Sequence, residues 1–368
     1  MQLLYFSPVP WSSFAQRPHK LIDWFQAKTK GEVLWVDPYP TRLPKLTDWY
    51  HYKQVNDAPT NINFTKIQIL KPASLPIEPI PFSGIINNLL WIELNKKIAS
   101  FIKQDLSIIG VGKPSLLALQ TLKKFNYCHS FYDAMDDFPA FYSGISKWSM
   151  TKKEVAIVKK TSYVLTSSTA LYNSWYTIRN DIQLVPNALD ANTLPATDTR
   201  SIKPHKSTKV LGYIGTVADW FDWDWLIHLA NLRPFDTIEI IGPIYTSPPF
   251  ELPSNVHIKP PLEHKEAVQT MLRFDIGLIP FKKNKLTHSV DPIKYYEYCA
   301  LGLPILSTSF GEMFNRRNNE EVFIVDDLAD MSFQINQALS YQANHPKLEQ
   351  FIYHNTWQHR FDNCRLLF

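Results

Sequence analysis

Lys294 and Glu297 lie three residues apart, and this pair is the strongest candidate for chemistry in the sequence. Pro292 favours a helix start just before them, with Asp291 or Ser289 as the capping residue. The two side chains would then share one face near the positive end of the helix. A helix N-terminus beside a cation suits a diphosphate, and a glutamate one turn deeper suits sugar hydroxyls. The spacing therefore predicts a nucleotide-sugar site.

A second candidate is the loop that follows the apolar run KVLGYI, where Gly215 and Thr216 precede another helix start. A turn of small residues lets backbone N–H groups approach a diphosphate. Asp222 and Asp224 in the same loop match a DxD metal signature, but capping of the helix by Asp222 is the preferred interpretation. We therefore predict Gly215 and Thr216 as diphosphate contacts and no metal site.

Three acids follow an apolar strand in the N-terminal half, in the segment FYDAMDDFPAF. A transfer that inverts stereochemistry needs a general base within hydrogen-bond reach of the attacking hydroxyl. Asp136 is the first candidate for this base and Asp133 is the second. The alternative, in which these carboxylates cap the turn and the next helix, stays open.

Trp11, Arg17 and His19 lie in the loop after the first apolar strand, SPVPWSSFAQRPHK. Loops that connect a strand to a helix line the ligand crevice of a doubly wound sheet. We expect these three side chains to contact the acceptor or the donor. Alternatively, Arg17 pairs with a carboxylate such as Asp23.

The elements that must position these residues alternate between buried strands and helices, which predicts an α/β fold with doubly wound parallel sheets. The predicted strands are Leu3–Phe6, Val33–Val36, Leu106–Val111, Ser130–Asp133, Tyr163–Thr166, Leu184–Val185, Lys209–Ile214, Thr237–Ile241, Val256–Lys259, Asp275–Pro280, Pro304–Thr308 and Val322–Val325. The helices predicted in the C-terminal half are Asp222–Asn231, Leu262–Leu272, Pro292–Leu301 and Asp327–Tyr341. The proline-rich interval Asp37–Pro81 is predicted to be a surface excursion, and Asp190–Lys206 to be an interdomain linker.

The composition excludes several classes of protein. A chain of 368 residues with 45% hydrophobic and 20% charged residues has enough apolar sequence for two packed domains. No run reaches the roughly 18 apolar residues of a membrane span, and the N-terminus lacks the features of a signal peptide. The sequence contains neither GxGxxG nor GxxxxGK[ST], which disfavours dinucleotide oxidoreductases and P-loop NTPases. Three separated cysteines favour a reducing, cytoplasmic compartment.

Four segments resemble the GT-B glycosyltransferases of the large "group 1" class. PIKYYEYCALGLPIL resembles their donor-site segment, and VPNALD resembles the motif that closes their N-terminal domain. LGYIGTVADWFDWDW resembles the first strand, loop and helix of their C-terminal domain, and RFDIGLIPF the strand and loop before the donor helix. The match covers the C-terminal half well and the N-terminal half loosely.

The resemblance implies two Rossmann-like domains facing a central cleft. The expected boundaries are residues 1–190 for acceptor binding, 191–345 for nucleotide-sugar binding, and 346–368 for a C-terminal helix. This helix either crosses back to the first domain or is an ordinary terminal helix of the second domain, and both alternatives stay open.

The resemblance also implies roles for particular residues. Glu297 matches the second glutamate of a Glu-x7-Glu pair, which binds the ribose hydroxyls, and the first position falls on Ser289. His288 and Pro280 would line the donor side of the site. The Arg and Lys that many members carry after the loop glycine are missing, which assigns the cationic role to Lys294, with Lys282 or Lys283 as further candidates.

The activity implied by this resemblance is transfer of a hexose-type sugar from a nucleotide-diphosphate donor. The acceptor would be a glycan or lipid-linked glycan of bacterial surface polysaccharide, such as capsule or O-antigen. Inverting and retaining mechanisms both stay open, and no cofactor, metal or nucleic acid is expected. A catalytically inactive glycan-binding or partner-binding module and a nucleotide-sugar epimerase are the alternatives.

Contact with the inner face of the cytoplasmic membrane is a further expectation. Ile85–Lys103 combines apolar residues with three lysines, so it predicts a basic amphipathic helix. The alternative is a core helix with a solvated lysine face.

Overall fold

The computed structural model describes residues 1–43, 66–80, 83–195 and 208–366. This part of the chain divides into two compact units, Met1–Val185 with the residues from Asn363 on, and Pro186–Asp362. The division falls inside VPNALD, before the expected boundary at residue 190. Of the C-terminal segment 346–368, the residues up to Asp362 belong to the second unit. The predicted linker lies partly outside the described residues.

The first unit contains a parallel sheet with the strand order β3-β2-β1-β4-β5-β6-β7. The strands are β1 (Gln2–Phe6), β2 (Glu32–Val36), β3 (Ile67–Leu70), β4 (Ser107–Val111), β5 (His129–Ala134), β6 (Tyr163–Thr166) and β7 (Ile182–Leu184). The helices described in this unit are α1 (Arg17–Thr29), α2 (Ser83–Leu90), α3 (Ile92–Phe101), α4 (Leu116–Lys124), α5 (Gly144–Lys160) and α6 (Thr169–Tyr176).

The second unit contains another parallel sheet, with the strand order β10-β9-β8-β11-β12-β13. Its strands are β8 (Val210–Ile214), β9 (Thr237–Ile241), β10 (Val256–Lys259), β11 (Ile276–Ile279), β12 (Ile305–Thr308) and β13 (Val322–Val325). Its described helices are α7 (Trp223–Leu232), α8 (His264–Met271), α9 (Ile293–Ala300), α10 (Gly311–Asn315), α11 (Met331–Ser340), α12 (His345–His354) and α13 (Trp357–Asp362).

The central strands of both sheets, such as β1, β4, β11 and β12, are buried on both faces, as expected when helices cover a parallel sheet on each side. In the first unit Leu4, Ile109 and Tyr132 are fully buried in one core cluster. In each sheet the chain order reverses at the centre, between β1 and β4 and between β8 and β11. Such a reversal opens a ligand crevice beyond the carboxyl ends of the central strands. In the second unit, the loop with Gly215 and Thr216 follows β8, and the segment that leads to Lys294 and Glu297 follows β11.

Two N-terminal predictions are corrected by the structure. The interval Asp37–Pro81 is not wholly a surface excursion, because it contains β3, which pairs with β2 in the sheet. Residues 44–65 of the interval lie outside the described part of the chain. The segment Ile85–Lys103 forms two helices, α2 and α3, instead of one. Trp91, at the junction, is fully buried and donates a hydrogen bond to the carbonyl of Ala73, so it fixes the break between them.

Candidate functional site

The start of α9 carries no side-chain cap, which corrects the prediction that Asp291 or Ser289 caps it. Pro292 occupies the N-cap position. Asp291 is buried and its carboxylate is taken by other donors: Arg316 Nη2 at 2.6 Å, the Asn187 amide at 2.7 Å and the Tyr296 hydroxyl at 2.9 Å. A buried carboxylate is stabilised by such partners. With these three donors bound, the Asp291 carboxylate does not cap the amides at the start of α9.

Among the described residues the amides of Ile293 and Lys294 at the start of α9 have no acceptor, whereas the Tyr295 amide donates to the Pro292 carbonyl at 3.1 Å. The N–H groups of the first turn of a helix have no intrahelical acceptor, and they concentrate the positive end of the helix dipole. Pro292, the N-cap residue, supplies no side-chain cap to them. Together with Lys294 in the first turn, this end of α9 has the properties of an anion site.

Glu297 is buried one turn into α9, and each of its carboxylate oxygens has one partner and can accept another hydrogen bond. Oε2 pairs with Lys294 Nζ, and Oε1 lies 2.9 Å from His264 Nε2. Burial acts to raise the pKa of Glu297, but Lys294 and His264 outweigh burial and hold the pKa at about 2. Glu297 is therefore an anion at neutral pH, and its Lys294 partner is held in place beside the helix start.

His264 is a site residue that the sequence did not indicate. It opens α8, after β10, and about half of its side chain is exposed. A histidine at the first position of a helix after a strand of the same sheet was the available signal. It is 33 residues from Glu297 in the chain, so only the fold reveals the contact.

The end of β8 and the loop after it lie next to α9, because the hydroxyl of Tyr298 in α9 accepts a hydrogen bond from the Ile214 amide at 3.3 Å. The predicted role of Gly215 as an amide donor is corrected, since its N–H donates to the carbonyl of Ile241. Gly215 instead makes room: a Cβ there would lie 2.8 Å from the Tyr213 hydroxyl. The carbonyl of Thr216 accepts from that same hydroxyl at 2.8 Å, which fixes the turn.

Pro280 holds the loop after β11 against the loop after β8. Its carbonyl accepts from the Asp222 amide, and the amide of Lys282 donates to the Trp220 carbonyl. The side chain of Asp222 caps α7 through the Trp225 amide at 3.1 Å, which confirms the capping interpretation. Lys282 is exposed, whereas Lys283 is paired with Asp326.

Ser289 and His288 lie in the loop that leads to α9. The Ser289 hydroxyl is buried and has no hydrogen-bond partner among the described residues. His288 is exposed. A buried hydroxyl without a partner is uncommon and points to an unfilled acceptor or donor at this place. It stands where the resemblance placed the first acid of the Glu-x7-Glu pair.

Arg17 and Asp133 form a buried ion pair in the first unit. Arg17 Nε lies 3.0 Å from both Asp133 oxygens, Nη2 lies 2.7 Å from Oδ1, and Nη1 donates to the Val185 carbonyl. The predicted alternative partner, Asp23, instead lies near Lys20. Because the guanidinium takes up Asp133, that carboxylate is poorly suited to accept a proton from a substrate hydroxyl.

Asp136 lies two residues beyond β5, close to this ion pair. Part of the residue is exposed, while its carboxyl group is surrounded by protein. Burial raises the pKa of Asp136 to about 7; Arg17 opposes the rise, and the charges of Asp133 and Asp137 add to it. A carboxyl group with a pKa near the working pH is suited to general-base chemistry.

His19 and Trp11 belong to an internal aromatic cluster. His19 Nδ1 accepts from the Gln16 amide, so Nε2 carries the proton and donates to the Trp11 carbonyl at 3.2 Å. The imidazole packs against the rings of Trp11 and Trp35, and burial lowers its pKa. Both nitrogens are used within the chain, so the direct function of His19 in the structure is to shape the loop.

Comparison with solved structures bears on the fold. The chain is similar to sucrose-phosphate synthase from Thermosynechococcus elongatus, with a TM-score of 0.65 and 12% identity over 98% of this chain and 94% of that one. The lipopolysaccharide outer core galactosyltransferase WaaB matches with a TM-score of 0.63 and 12% identity over 99% and 98%. The chain has the GT-B fold. Anabaena HepE, solved with UDP and glucose, matches at a TM-score of 0.59 and 13% identity over 97% and 94%.

A sequence relative adds to the structural likeness of this GT-B chain. TuaH of Bacillus subtilis (strain 168), which bears the name of a teichuronic acid biosynthesis glycosyltransferase, is 25% identical over 205 residues. The match covers 50% of this chain and 51% of the relative, so it spans about half the length of each. No protein family model matches the sequence. Within the described residues, no helix is both long enough and apolar enough to cross a bilayer.

Proposed function

We propose that this chain is a glycosyltransferase that moves a hexose-type sugar from a nucleotide-diphosphate donor to a glycan or lipid-linked glycan acceptor. The observation that carries the proposal is the open start of α9, with Lys294 beside it and Glu297 one turn deeper. This arrangement offers amides and a cation to a diphosphate and a carboxylate to ribose hydroxyls. The GT-B fold and the name of the sequence relative point in the same direction.

The proposed chemistry is electrostatic. Departure of a nucleoside diphosphate develops negative charge on the leaving oxygen, and amides, a helix N-terminus and Lys294 are suited to stabilise it. These groups supply positive charge from the chain itself, so we propose transfer without a resident cofactor or metal ion. Ser289, with its buried unpartnered hydroxyl, would hydrogen-bond the donor where a carboxylate stands in related sequences.

In the first unit, Asp136 is the proposed general base of an inverting transfer. Its pKa of about 7 favours it over Asp133, whose oxygens are held by Arg17. The base would take the proton of the acceptor hydroxyl as that hydroxyl attacks the anomeric carbon. NMR of the product decides the stereochemistry: retention of the donor configuration would exclude this role for Asp136.

The proposed biological setting is synthesis of bacterial surface polysaccharide, such as capsule or O-antigen, on the cytoplasmic face of the membrane. TuaH carries a name from teichuronic acid biosynthesis, and WaaB one from lipopolysaccharide. A lipid-linked acceptor would require the protein to work at the membrane surface. We therefore propose a peripheral location.

A thermal-shift screen against UDP, GDP, TDP and their sugars tests the donor site. A ligand at a hundredfold excess over Kd stabilises the protein by about 2.7 kcal/mol. We expect one nucleotide diphosphate to raise Tm and Lys294→Ala to remove most of the rise. Lys347→Ala, at an exposed ion pair with Glu320, is the matched control and should leave it intact. An undiminished rise in Lys294→Ala would exclude the α9 site.

A further inference from the structure

Helix α2 has its polar and apolar sides reversed. Asn87 is fully buried, whereas Ile85 and Leu89, one turn apart, are 64% and 66% exposed. The exposed apolar residues at this place, which we call the α2 patch, are Ile85, Ile86, Leu89, Leu90 and Ile92. Single exposed leucines are ordinary, but a contiguous apolar patch marks an interaction surface.

Specific contacts hold α2 in this orientation. The Asn87 side-chain oxygen accepts from the Leu75 amide at 3.0 Å, and the Ser83 hydroxyl donates to the Glu78 carbonyl at 3.2 Å. A buried amide side chain needs such a partner. Rotating α2 to bury the leucines would break the Asn87 contact, so the outward apolar face is built into the fold.

Lysines adjoin the α2 patch on the side of α3 and α4. Helix α3 buries Ile98 and Phe101, so its lysines face outward, as the core-helix alternative predicted. A groove between α3 and α4 is lined by Ile92 from the patch and by Lys96 and Lys124. The patch therefore meets exposed lysines at Ile92. The exposed lysines on these helices and the following turns are Lys96, Lys97, Lys103, Lys123 and Lys124, against the acids Glu93 and Asp105.

We propose that the α2 patch docks this protein onto an anionic lipid bilayer. Apolar side chains of a short amphipathic surface enter the boundary between headgroups and acyl chains, and nearby lysines attract the negative surface. A second copy of this chain is a poorer partner for the patch. A symmetric contact through the patch would bring the nearby lysines of both copies together, and their like charges would repel. The α2 patch would be the surface that holds the protein at the membrane in the proposed peripheral location. This inference does not depend on glycosyltransferase activity.

Vesicle flotation without nucleotide tests the proposal. The purified protein is mixed with vesicles of phosphatidylcholine alone or of phosphatidylcholine with phosphatidylglycerol. We expect binding to the anionic vesicles, weakened by salt, and little binding to the neutral ones. Failure to bind anionic vesicles would overturn the proposal and leave the nucleotide thermal shift, which tests the function, unaffected.

Matched variants locate the surface. The double variant Ile85→Ser with Leu89→Ser should lose at least about tenfold in vesicle affinity, and Phe333→Ser, a 62% exposed residue of the second unit, should lose none. Lys97→Gln with Lys123→Gln should lose about 30-fold. Equal binding by the α2 variant, with an unchanged unfolding curve, would exclude the patch. If that variant misfolds, the lysine variant decides, because its undiminished binding would exclude the surface.

Sedimentation velocity of the wild type tests whether a second copy of this chain binds the α2 patch. We expect a monomer across the concentration range. A concentration-dependent dimer that the variant Ile85→Ser with Leu89→Ser abolishes would assign the patch to self-association and overturn the membrane proposal.

Discussion

Arg316 Nη2 lies 2.6 Å from Oδ1 of Asp291, and this buried ion pair fixes the residue that leads into α9. The Arg316 guanidinium also stacks on the Tyr295 ring, 3.8 Å from its centroid. Because Asp291 is engaged here, it leaves the helix start uncapped. A contact between Arg316, the residue after α10, and the entrance of α9 therefore decides whether the proposed anion site is open.

Removing the guanidinium from this pair should destabilise the protein strongly. Arg316→Met leaves the Asp291 carboxylate buried without its cation, and we expect a loss of about 3–5 kcal/mol in the free energy of urea unfolding. Arg317→Ala, at an exposed pair with Asp326, should cost less than about 1 kcal/mol. Adding Asp291→Asn to Arg316→Met should restore part of the loss. Equal costs for the two arginines would contradict this account.

Asp136 should determine the acid limb of the activity profile. A base must be deprotonated to act, so kcat/KM should rise with pH through the pKa of about 7. Asp136→Asn should lower kcat by about 10²–10⁴ and leave the affinity for the nucleotide unchanged. Asp137→Asn, the adjacent acid, should keep the rate at high pH but move the acid limb to lower pH, because the charge of Asp137 contributes to the raised pKa of Asp136. A wild-type rate in Asp136→Asn would exclude Asp136 as the base.

The ion pair of Glu297 should make stability depend on pH. Its folded-state pKa of about 2 lies below the ordinary value of 4.5. A depressed carboxyl pKa stabilises the folded state above the ordinary value, and this contribution disappears as the pH falls toward 2. Glu297→Gln should therefore cost about 3 kcal/mol near neutral pH, and the difference from wild type should shrink in acid. Urea titrations at several pH values measure it, with Glu320→Gln as the exposed control.

Gly242 should tolerate no side chain. Its φ is +139°, and a Cβ would lie 2.2 Å from the carbonyl oxygen of Gly215, in the loop after β8. We expect Gly242→Ala to cost more than about 2 kcal/mol in unfolding and to weaken nucleotide binding. Gly144→Ala has a positive φ of +53° but open space around the Cβ, so about 1 kcal/mol is expected. Similar losses for the two variants would mean that the close backbone approach is unimportant.

Much of the fold was predictable because a buried parallel strand can be recognised from its own few residues. Tyr163–Thr166, Thr237–Ile241 and Val322–Val325 were predicted with the bounds that the structure has. Each is a short apolar run with both faces covered, and such runs stand out from polar surroundings. β3 was missed because it lies in a proline-rich interval and two of its four residues are exposed.

The sequence by itself determined the alternating strands and helices and the placement of Lys294 and Glu297 on one turn, since both depend on residues within a few positions of each other. Tertiary structure decided which donors each buried carboxylate binds. Arg17 reaches Asp133 across 116 residues, and His264 reaches Glu297 across 33. It also decided that α2 turns its leucines outward, through the contact of Asn87 with Leu75. Buried charges and amides require partners wherever the fold brings them, and no local pattern records that choice.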